Sequence, residues 1–391
     1  MKHDPLAWLD EELDTLDALG LRRHLRIRQG SQLPVVKLDG REVINFGSND
    51  YLSLAADTRL QQAVRDAVDQ EGWGSGASPL IVGRSEQHAA LEHALAEFEG
   101  TQAALVFSSG FAANVGAITA LASRGDVIFS DAKNHASIID GCRLSGARVQ
   151  VFPHGDVDYL RTMLQQARTF RRRLIVTDAL FSMDGDFAPL AELAALAEEH
   201  DGMLLVDEAH ATGVFGATGR GVCEEMHVED GALVRVGTMS KALGCAGGFV
   251  AGSQQLIDWI ANRARTYVFS TAQPGPWCAA ALAALQIVRE EPQRRTMLRQ
   301  RAADLHGRLK EQGWQLGSQI SQIVPVYLGE PDLTMRMTES LLEQGLFVPG
   351  IRPPSVPDGE SLLRISLTFG HTAEHFESLV NALRDLRRTD L

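Results

Sequence analysis

The sequence is poor in lysine, poor in cysteine and free of long apolar runs. Its four cysteines are scattered, with no Cys-x-x-Cys pair and no histidine at the spacing of zinc ligands: Cys142, Cys223, Cys245 and Cys278. We therefore expect reduced core thiols, a reducing compartment and no metal centre. No uncharged apolar stretch approaches the roughly 18 residues of a membrane span. The acidic, helically patterned first twenty residues lack the apolar core of a signal peptide. These features predict a cytoplasmic protein.

Positive charge is also scarce. The 391 residues contain 37 basic and 50 acidic side chains, a net charge of −13. This balance provides no electrostatic surface for nucleic acid or an anionic membrane. Small molecules are therefore the expected partners.

The apolar pattern is that of an α/β protein. Short apolar stretches alternate with helical ones, which predicts a mostly parallel sheet flanked by helices. We predict an N-terminal helix and arm over 1–55, a large domain over 56–275 and a smaller C-terminal α/β domain over 276–391. The predicted buried strands are Ala103–Phe107, Val127–Ser130, Arg148–Phe152, Leu174–Thr177, Met203–Val206 and Leu233–Val236, and two further strands are predicted at Ile323–Leu328 and Leu362–Leu367.

Lys241 stands apart from the other four lysines. Lys2 is terminal, Lys37 lies on a predicted hairpin, Lys310 lies on a charged helix face and Lys133 is in a loop where solvent could reach it. Between Arg235 and Asp258, Lys241 is the only charged side chain. Burial of an isolated ammonium depresses its pKa, and a neutral amine is what attacks an aldehyde. The alternative is a lysine on an exposed glycine-rich loop.

A second feature is an apolar strand that ends in Asp207, with His210 three residues later. Ligands of open α/β sheets gather at the carboxyl ends of strands. An aspartate there could keep a pyridinium nitrogen protonated, as pyridoxal-phosphate chemistry requires. A helix N-cap or a metal ligand is the alternative for this pattern.

A third feature is a strand, a Ser-Gly turn and a helix in the stretch Leu105–Asn114. Free N–H groups and the helix dipole at such a helix start bind phosphate, although many serine-capped helices bind nothing. The hydroxyls of Thr238 and Ser240 flank Lys241 and could serve the same phosphate. Together, the three features predict a pyridoxal 5′-phosphate site.

The residues resemble the α-oxoamine synthases, which are fold-type I pyridoxal-phosphate transferases, over nearly the whole chain. The resemblance implies that the protein is a cytoplasmic acyltransferase and that it forms a homodimer. It rests on NFGSNDYLSL from Asn45, GSGASPLIVG from Gly74, SSGFAANVGAI from Ser108, NHAS from Asn134, DALFSMDGDFAPL from Asp178, LLVDEAHATGVFG from Leu204 and TMSKALGCAGG from Thr238.

The string IRPPSVP from Ile351 is similar to the branch of this family that condenses L-alanine with a pimeloyl thioester in biotin synthesis. That branch usually has threonine where Ser355 stands. The thioester carrier, coenzyme A or acyl carrier protein, stays open. Other open alternatives are a relative that uses glycine or serine, a fold-type I aminotransferase and a non-catalytic pyridoxal-phosphate-binding regulator.

The resemblance also implies roles for individual residues. Lys241 would hold the cofactor as a Schiff base and later move protons, His135 would stack on the ring, and Asp207 would pair with the ring nitrogen. His210 and Ser182 would lie near the ring hydroxyl. Phosphate would be contacted by Gly110, Phe111, Thr238 and Ser240, with Ser270 and Thr271 of the other subunit.

Substrate contacts are implied for Arg22, His135, Arg352 and Ser355, and Arg364 is a candidate for the amino-acid carboxylate. Each has a plainer alternative where the residues alone are considered. His135 could cap a helix, Arg352 could be an ordinary loop arginine, and Arg22 could belong only to a basic cluster.

Overall fold

The computed structural model describes residues 4–390, so Lys2 lies outside the described residues. The α-helices are α1 Trp8–Ala18, α2 Thr58–Glu71, α3 Glu86–Glu99, α4 Gly110–Leu121, α5 Ala136–Ser145, α6 Val157–Gln166, α7 Leu190–Glu199, α8 Val222–Glu225, α9 Gln254–Arg263, α10 Arg265–Val268, α11 Gly275–Glu290, α12 Gln293–Glu311, α13 Pro331–Glu343 and α14 Ala373–Asp390. A π-helical turn covers Pro79–Gly83.

The strands are β1 Arg28–Gln29, β2 Val35–Leu38, β3 Arg41–Asn45, β4 Ala103–Phe107, β5 Val127–Asp131, β6 Arg148–Phe152, β7 Arg173–Asp178, β8 Met203–Asp207, β9 Val234–Thr238, β10 Gly248–Gly252, β11 Ile323–Gly329, β12 Leu346–Phe347, β13 Gly350–Ile351 and β14 Ser361–Ser366. All eight predicted strands are therefore present, with ends that differ by at most two residues.

The central sheet has seven strands in the order β4-β10-β9-β8-β7-β5-β6. Only β10 runs antiparallel to its neighbours, so the prediction of a mostly parallel sheet is confirmed. Helices cover both faces, which is why strands such as β8 are continuous apolar runs without alternation. The expected fold-type I α/β architecture is thus the one observed.

The prediction of a buried strand was wrong for Arg148–Phe152. This strand, β6, lies at the edge of the sheet, and only Phe152 is buried while Val149 and Val151 are exposed. An apolar run does not reveal whether a strand lies at the centre or the edge, because both use β-branched residues.

Strand β10 was not predicted, and it organises one end of the sheet. Its first residue, Gly248, is opposite both Phe107 at the end of β4 and Thr238 at the end of β9. A Cβ atom at Gly248 would lie 2.5 Å from the backbone nitrogen of Gly110, so the close approach requires glycine. The start of α4 therefore lies beside the segment that follows β9.

The N-terminal arm and the C-terminal part share a smaller sheet. Strands β2 and β3 form a hairpin whose turn residues Asp39 and Gly40 both have positive φ, as a type I′ turn requires. Strand β12 then pairs parallel with β3. A three-stranded sheet, β11-β14-β13, completes the C-terminal part. The three domain boundaries stay a prediction.

Three of the four cysteines are buried, and Cys245 is half-buried. None of the helices within residues 4–390 combines the length and the apolarity that a membrane span needs.

Candidate active site

Lys241 lies three residues beyond β9, in the turn that leads to β10. Its side chain is half-buried. Burial lowers the pKa of its ammonium to about 8, and the positive charge of Arg364 acts in the same direction, while Asp207 and Asp178 oppose it. A substantial fraction of the amine is therefore neutral near pH 8, as a nucleophile or a base requires.

Asp207 is the last residue of β8, and its carboxylate is buried and fixed. Its Oδ2 accepts a hydrogen bond from Nδ2 of Asn114 at 2.6 Å, and its Oδ1 accepts one from the backbone N–H of Ala209 at 2.8 Å. A carboxylate has about four acceptor positions, so capacity remains for a cationic ligand. Lys241 is near enough for Asp207 to raise its pKa.

Asp178, at the end of the neighbouring strand β7, is a second buried carboxyl group. Burial and then the negative charge of Asp207 raise the pKa of Asp178 well above its ordinary range. Two adjacent carboxyl groups do not both ionise readily, which favours the neutral form of Asp178. Asp178 also accepts the backbone N–H of His135 at 2.7 Å through Oδ2.

His135 caps a helix, as one of its two interpretations predicted, while its stacking on a ring stays a prediction. It is the N-cap of α5, and its Nδ1 accepts the backbone N–H of Ser137. The same ring is near Asp207 and Lys241. Burial lowers the pKa of His135, so its ring is uncharged at neutral pH and can lie against a flat aromatic ligand.

His210 is buried and lies near Lys241. Its Nδ1 is hydrogen-bonded to the hydroxyl of Tyr51 at 2.6 Å. Burial, followed by the positive charges of Lys241 and Arg364, lowers the pKa of His210 well below its ordinary range. This neutral imidazole is suited to a hydrogen bond with a ligand hydroxyl rather than to an ion pair.

The start of α4 provides an open group of donors. Ser109 caps the helix by accepting the N–H of Ala112 at 3.0 Å, and the N–H groups of Gly110 and Phe111 have no acceptor within residues 4–390. A Cβ atom added at Gly110 would lie 3.4 Å from Cβ of Thr238. The Thr238 hydroxyl in turn lies 2.7 Å from that of Ser240. The four predicted phosphate contacts are thus gathered in one place.

Arg364, on β14, is near enough to Lys241 to lower its pKa. Its guanidinium is buried and donates to Oγ of Ser366 at 2.7 Å and to Oδ1 of Asn49 at 3.3 Å. It also donates to the backbone carbonyl of Ser182, which places that predicted residue at the site. In the part of the chain that the structure describes, Arg364 has no carboxylate partner.

The N-terminal arm contacts the loop after β13, and three predicted substrate residues lie at this contact: Arg22, Arg352 and Ser355. The Arg352 guanidinium donates to the carbonyl oxygen of Arg22 at 3.3 Å. The side chain of Arg22 forms an ion pair with Asp17 instead of pointing to this loop, and its neighbour Arg23 donates to Oγ of Ser355 at 3.1 Å.

Ser270 and Thr271 line a small cavity of about 20 Å³ together with Ser108 of the same chain. Ser108 precedes the start of α4 by two residues. The pair is thus close to the phosphate contacts of its own subunit, and the contribution to the other subunit's site stays a prediction.

Asn114, Asp178 and Tyr51 were not identified from the sequence. Asp178 ends a buried strand just as Asp207 does, so the strand-end rule could have found it. Asn114 lies 93 residues from Asp207 along the chain, and no local pattern links them. The only cue for Tyr51 was its place in one of the resemblance segments.

Known proteins resemble this chain over nearly its full length. The family model for class I and II aminotransferases matches residues 41–383. The 8-amino-7-oxononanoate synthase of Anaeromyxobacter dehalogenans is 48% identical, and the match covers 98% of this chain and 96% of that one.

Two solved structures share the fold. A serine palmitoyltransferase from S. paucimobilis with a bound PLP-myriocin aldimine has a TM-score of 0.93 and 33% identity, covering 99% of both chains. An 8-amino-7-oxononanoate synthase from Francisella tularensis has a TM-score of 0.78 and 28% identity, covering 88% of this chain and 98% of that one. The chain therefore belongs to the class I and II aminotransferase family of fold-type I pyridoxal-phosphate transferases, and within it to the 8-amino-7-oxononanoate synthases.

Proposed function

We propose that this enzyme joins L-alanine to a pimeloyl thioester, with release of carbon dioxide and the free thiol, and that it uses pyridoxal 5′-phosphate bound to Lys241. The observation that carries the proposal is the position of Lys241. Its pKa is lowered to about 8, it is near the Asp207 carboxylate, and it directly follows Ser240, whose hydroxyl meets that of Thr238 beside the open start of α4. The 48% identity to an 8-amino-7-oxononanoate synthase supports this choice of reaction.

The described residues fit this cofactor. Gly248 approaches Gly110 so closely that a Cβ atom on Gly248 would lie 2.5 Å from the Gly110 nitrogen. The start of α4 is thus a narrow cradle whose free N–H groups can bind a phosphate. An amine, a carboxylate and a neutral imidazole are the partners that the aldehyde, the ring nitrogen and the ring hydroxyl need. These would be Lys241, Asp207 and His210, with Ser182 also near the hydroxyl and His135 on the ring face.

When bound, pyridoxal phosphate supplies an electron sink for the negative charge that develops at the α-carbon. Side chains of the protein bind the substrate and transfer the protons. Arg364 would bind the carboxylate of alanine. The Lys241 amine, released when the amino group of alanine takes its place, would then remove the α-proton. The α-carbon forms a bond to the acyl carbon, the thiol leaves, and the original carboxylate departs as carbon dioxide. Lys241 then returns a proton to that carbon.

The amino-acid substrate is tested directly by comparing alanine, glycine and serine with pimeloyl-coenzyme A, with free thiol and carbon dioxide measured together. We expect both products in equal amounts with alanine and far less with the other two. A preference for glycine or serine would retain the reaction class and overturn the substrate. The same assay with pimeloyl-acyl carrier protein identifies the carrier.

Arg364 provides a prediction for the amino-acid subsite. We expect Arg364→Gln to raise the KM for alanine roughly 10- to 100-fold, because a hydrogen-bonded charge on the carboxylate is lost. The KM for the thioester should stay within about twofold, and steady-state kinetics with each substrate varied in turn measures both. An unchanged KM for alanine in a folded, active variant would place the carboxylate elsewhere.

We also propose that the enzyme is a homodimer. An apolar patch consists of Leu80, Ile81, Val82 and Phe269, which are 51%, 74%, 77% and 72% exposed. Phe269 directly precedes Ser270 and Thr271, so a second copy that covers the patch would lie next to the phosphate contacts. Large exposed apolar patches are typical of protein interfaces.

We expect Ile81→Asp to shift the protein from dimer to monomer in analytical ultracentrifugation, because the patch would then bury an unpaired charge. Leu144→Asp, which changes a 69% exposed leucine at the end of α5, is the matched control and should stay dimeric. Dissociation by both variants, or by neither, would contradict the assignment of this patch.

A further inference from the structure

Lys133 has a position that the sequence did not predict. It is neither free nor fully solvated: its Nζ donates to Oδ1 of Asp184 at 2.9 Å and to Oε2 of Glu360 at 3.2 Å, and its side chain is 28% exposed. Solvent therefore reaches only part of the Lys133 side chain.

Each of the three charged residues belongs to a loop that carries a candidate site residue. Lys133 is two residues before His135, and Asp184 is two residues after Ser182. Glu360 ends the loop that contains Arg352 and Ser355, which we call the substrate loop and define as residues 352–360. One ammonium group thus joins the two cofactor-side loops to the substrate loop.

The two cofactor-side loops are fixed by other contacts as well. His154 connects Asp131 and Asp186 through its two ring nitrogens, at 2.9 and 3.0 Å. The hydroxyl of Tyr327 donates to Oδ1 of Asp184 at 2.9 Å. The loop that carries Lys133 is therefore firmly held, as is its partner Asp184.

Glu360 is held far less firmly. Its side chain is 42% exposed, and Lys133 is its only side-chain partner among the residues that the structure describes. On this side of the substrate loop, the Lys133–Glu360 ion pair is consequently the link to the anchored part of the site. On the other side, the loop contacts the N-terminal arm through Arg23 and Ser355.

A cavity of about 340 Å³ lies between the substrate loop and the two cofactor-side loops. This volume is within the range of small-molecule sites, roughly 300–1,000 Å³. Lys133 and Glu360 border the cavity, and apolar side chains form much of the wall: Ile139, Phe181, Met183, Pro354, Val356 and Pro357. A flexible methylene chain is the kind of ligand that such a wall takes.

We propose that Lys133 is a positioning residue for the acyl substrate. Its ion pair with Glu360 holds the substrate loop over the apolar cavity, and the carbon chain of the thioester lies in that cavity. The proposal rests on the proposed function for the identity of the acyl substrate. The ion pair itself acts on the loop whatever the substrate is.

Glu360→Gln tests the link, because it removes the ion pair and leaves Lys133 bonded to Asp184. We expect the KM for the pimeloyl thioester to rise about fivefold, as exposed ion pairs contribute little, with kcat and the KM for alanine unchanged within twofold. Added salt should raise the wild-type KM towards that of the variant and leave the variant nearly unaffected, because salt screens the pair.

Hydrogen exchange of residues 352–360 gives a second readout that does not depend on turnover, and it should be faster in Glu360→Gln. The control is Glu377→Gln, which breaks the comparably exposed Arg308–Glu377 pair at 2.8 Å and should change none of these quantities. Unchanged exchange in Glu360→Gln would overturn the link, and faster exchange with an unchanged thioester KM would overturn its role for the acyl substrate. If the wild type releases no thiol from the thioester, the proposed function fails, whereas the exchange experiment still decides on the loop.

Discussion

Replacing Lys241 with alanine is expected to reduce thiol release by about 10³-fold or more, because the group that removes and returns the proton is lost. The variant should also lose the covalent attachment of the cofactor. Lys241 is the only lysine that the structure places beside both Asp207 and His135 within residues 4–390, so no other amine can replace it. Lys310→Ala, at an exposed position on α12, is the matched control and should keep full activity.

Attachment can be measured without turnover. Borohydride reduction fixes the cofactor to the amine that holds it, and peptide mapping then identifies that amine among the five lysines of the chain. The wild type should give a single labelled peptide that contains Lys241, and Lys241→Ala should give none. A label on Lys133, or a labelled Lys241→Ala protein, would refute the assignment.

Replacing Asp207 with asparagine is expected to reduce turnover roughly 10²- to 10³-fold, the range found when one electrostatic stabiliser is removed from an active site. The variant lacks the negative charge that would face the ring nitrogen, so a bound ring would withdraw electrons less effectively. The fold should tolerate the change, because the buried Oδ1 of Asn114 has no hydrogen-bond partner in the described part of the chain and can accept a hydrogen bond from the new amide.

Borohydride labelling of Lys241 should persist in Asp207→Asn, since the amine is untouched. Loss of labelling would mean that Asp207 acts mainly in cofactor retention. Asp258→Asn removes an exposed carboxylate on α9 whose only hydrogen-bond partner among the described residues is Gln254, and we expect it to leave turnover unchanged. Wild-type turnover in Asp207→Asn would contradict the role of this carboxylate.

The sequence predicted the parts of the site that follow from local rules. Asp207 was found because a buried apolar run ends there and ligands collect at strand ends. Lys241 was found because a charge stands alone in an apolar segment. The structure brings these two together with His135 and His210, and the roles of the four residues stay predictions.

What the sequence could not predict depends on contacts between distant segments. Strand β10 has glycine at both ends, so its residues give little strand signal, yet it places Gly110 beside Thr238. The sequence also could not show which arginine of the N-terminal arm contacts the substrate loop, because Arg22 and Arg23 are adjacent in an irregular segment. Arg22 turns to Asp17, and Arg23 contacts Ser355.

The links of Lys133 were equally hidden. Asp184 and Glu360 lie 51 and 227 residues away from it, and only the packing of three loops brings their charges together. Burial of a side chain in such a place is a property of the tertiary structure, which local pattern does not encode.

The most direct test of the central claim is an absorbance spectrum of the purified enzyme, recorded before and after addition of L-alanine and then of pimeloyl thioester, with free thiol followed in parallel. We expect a visible cofactor band that shifts with alanine, and thiol release that begins only when the thioester is added. A cofactor band without thiol release would retain the fold and the cofactor and contradict the reaction, and a protein that binds no pyridoxal phosphate would contradict the account of the site as a whole.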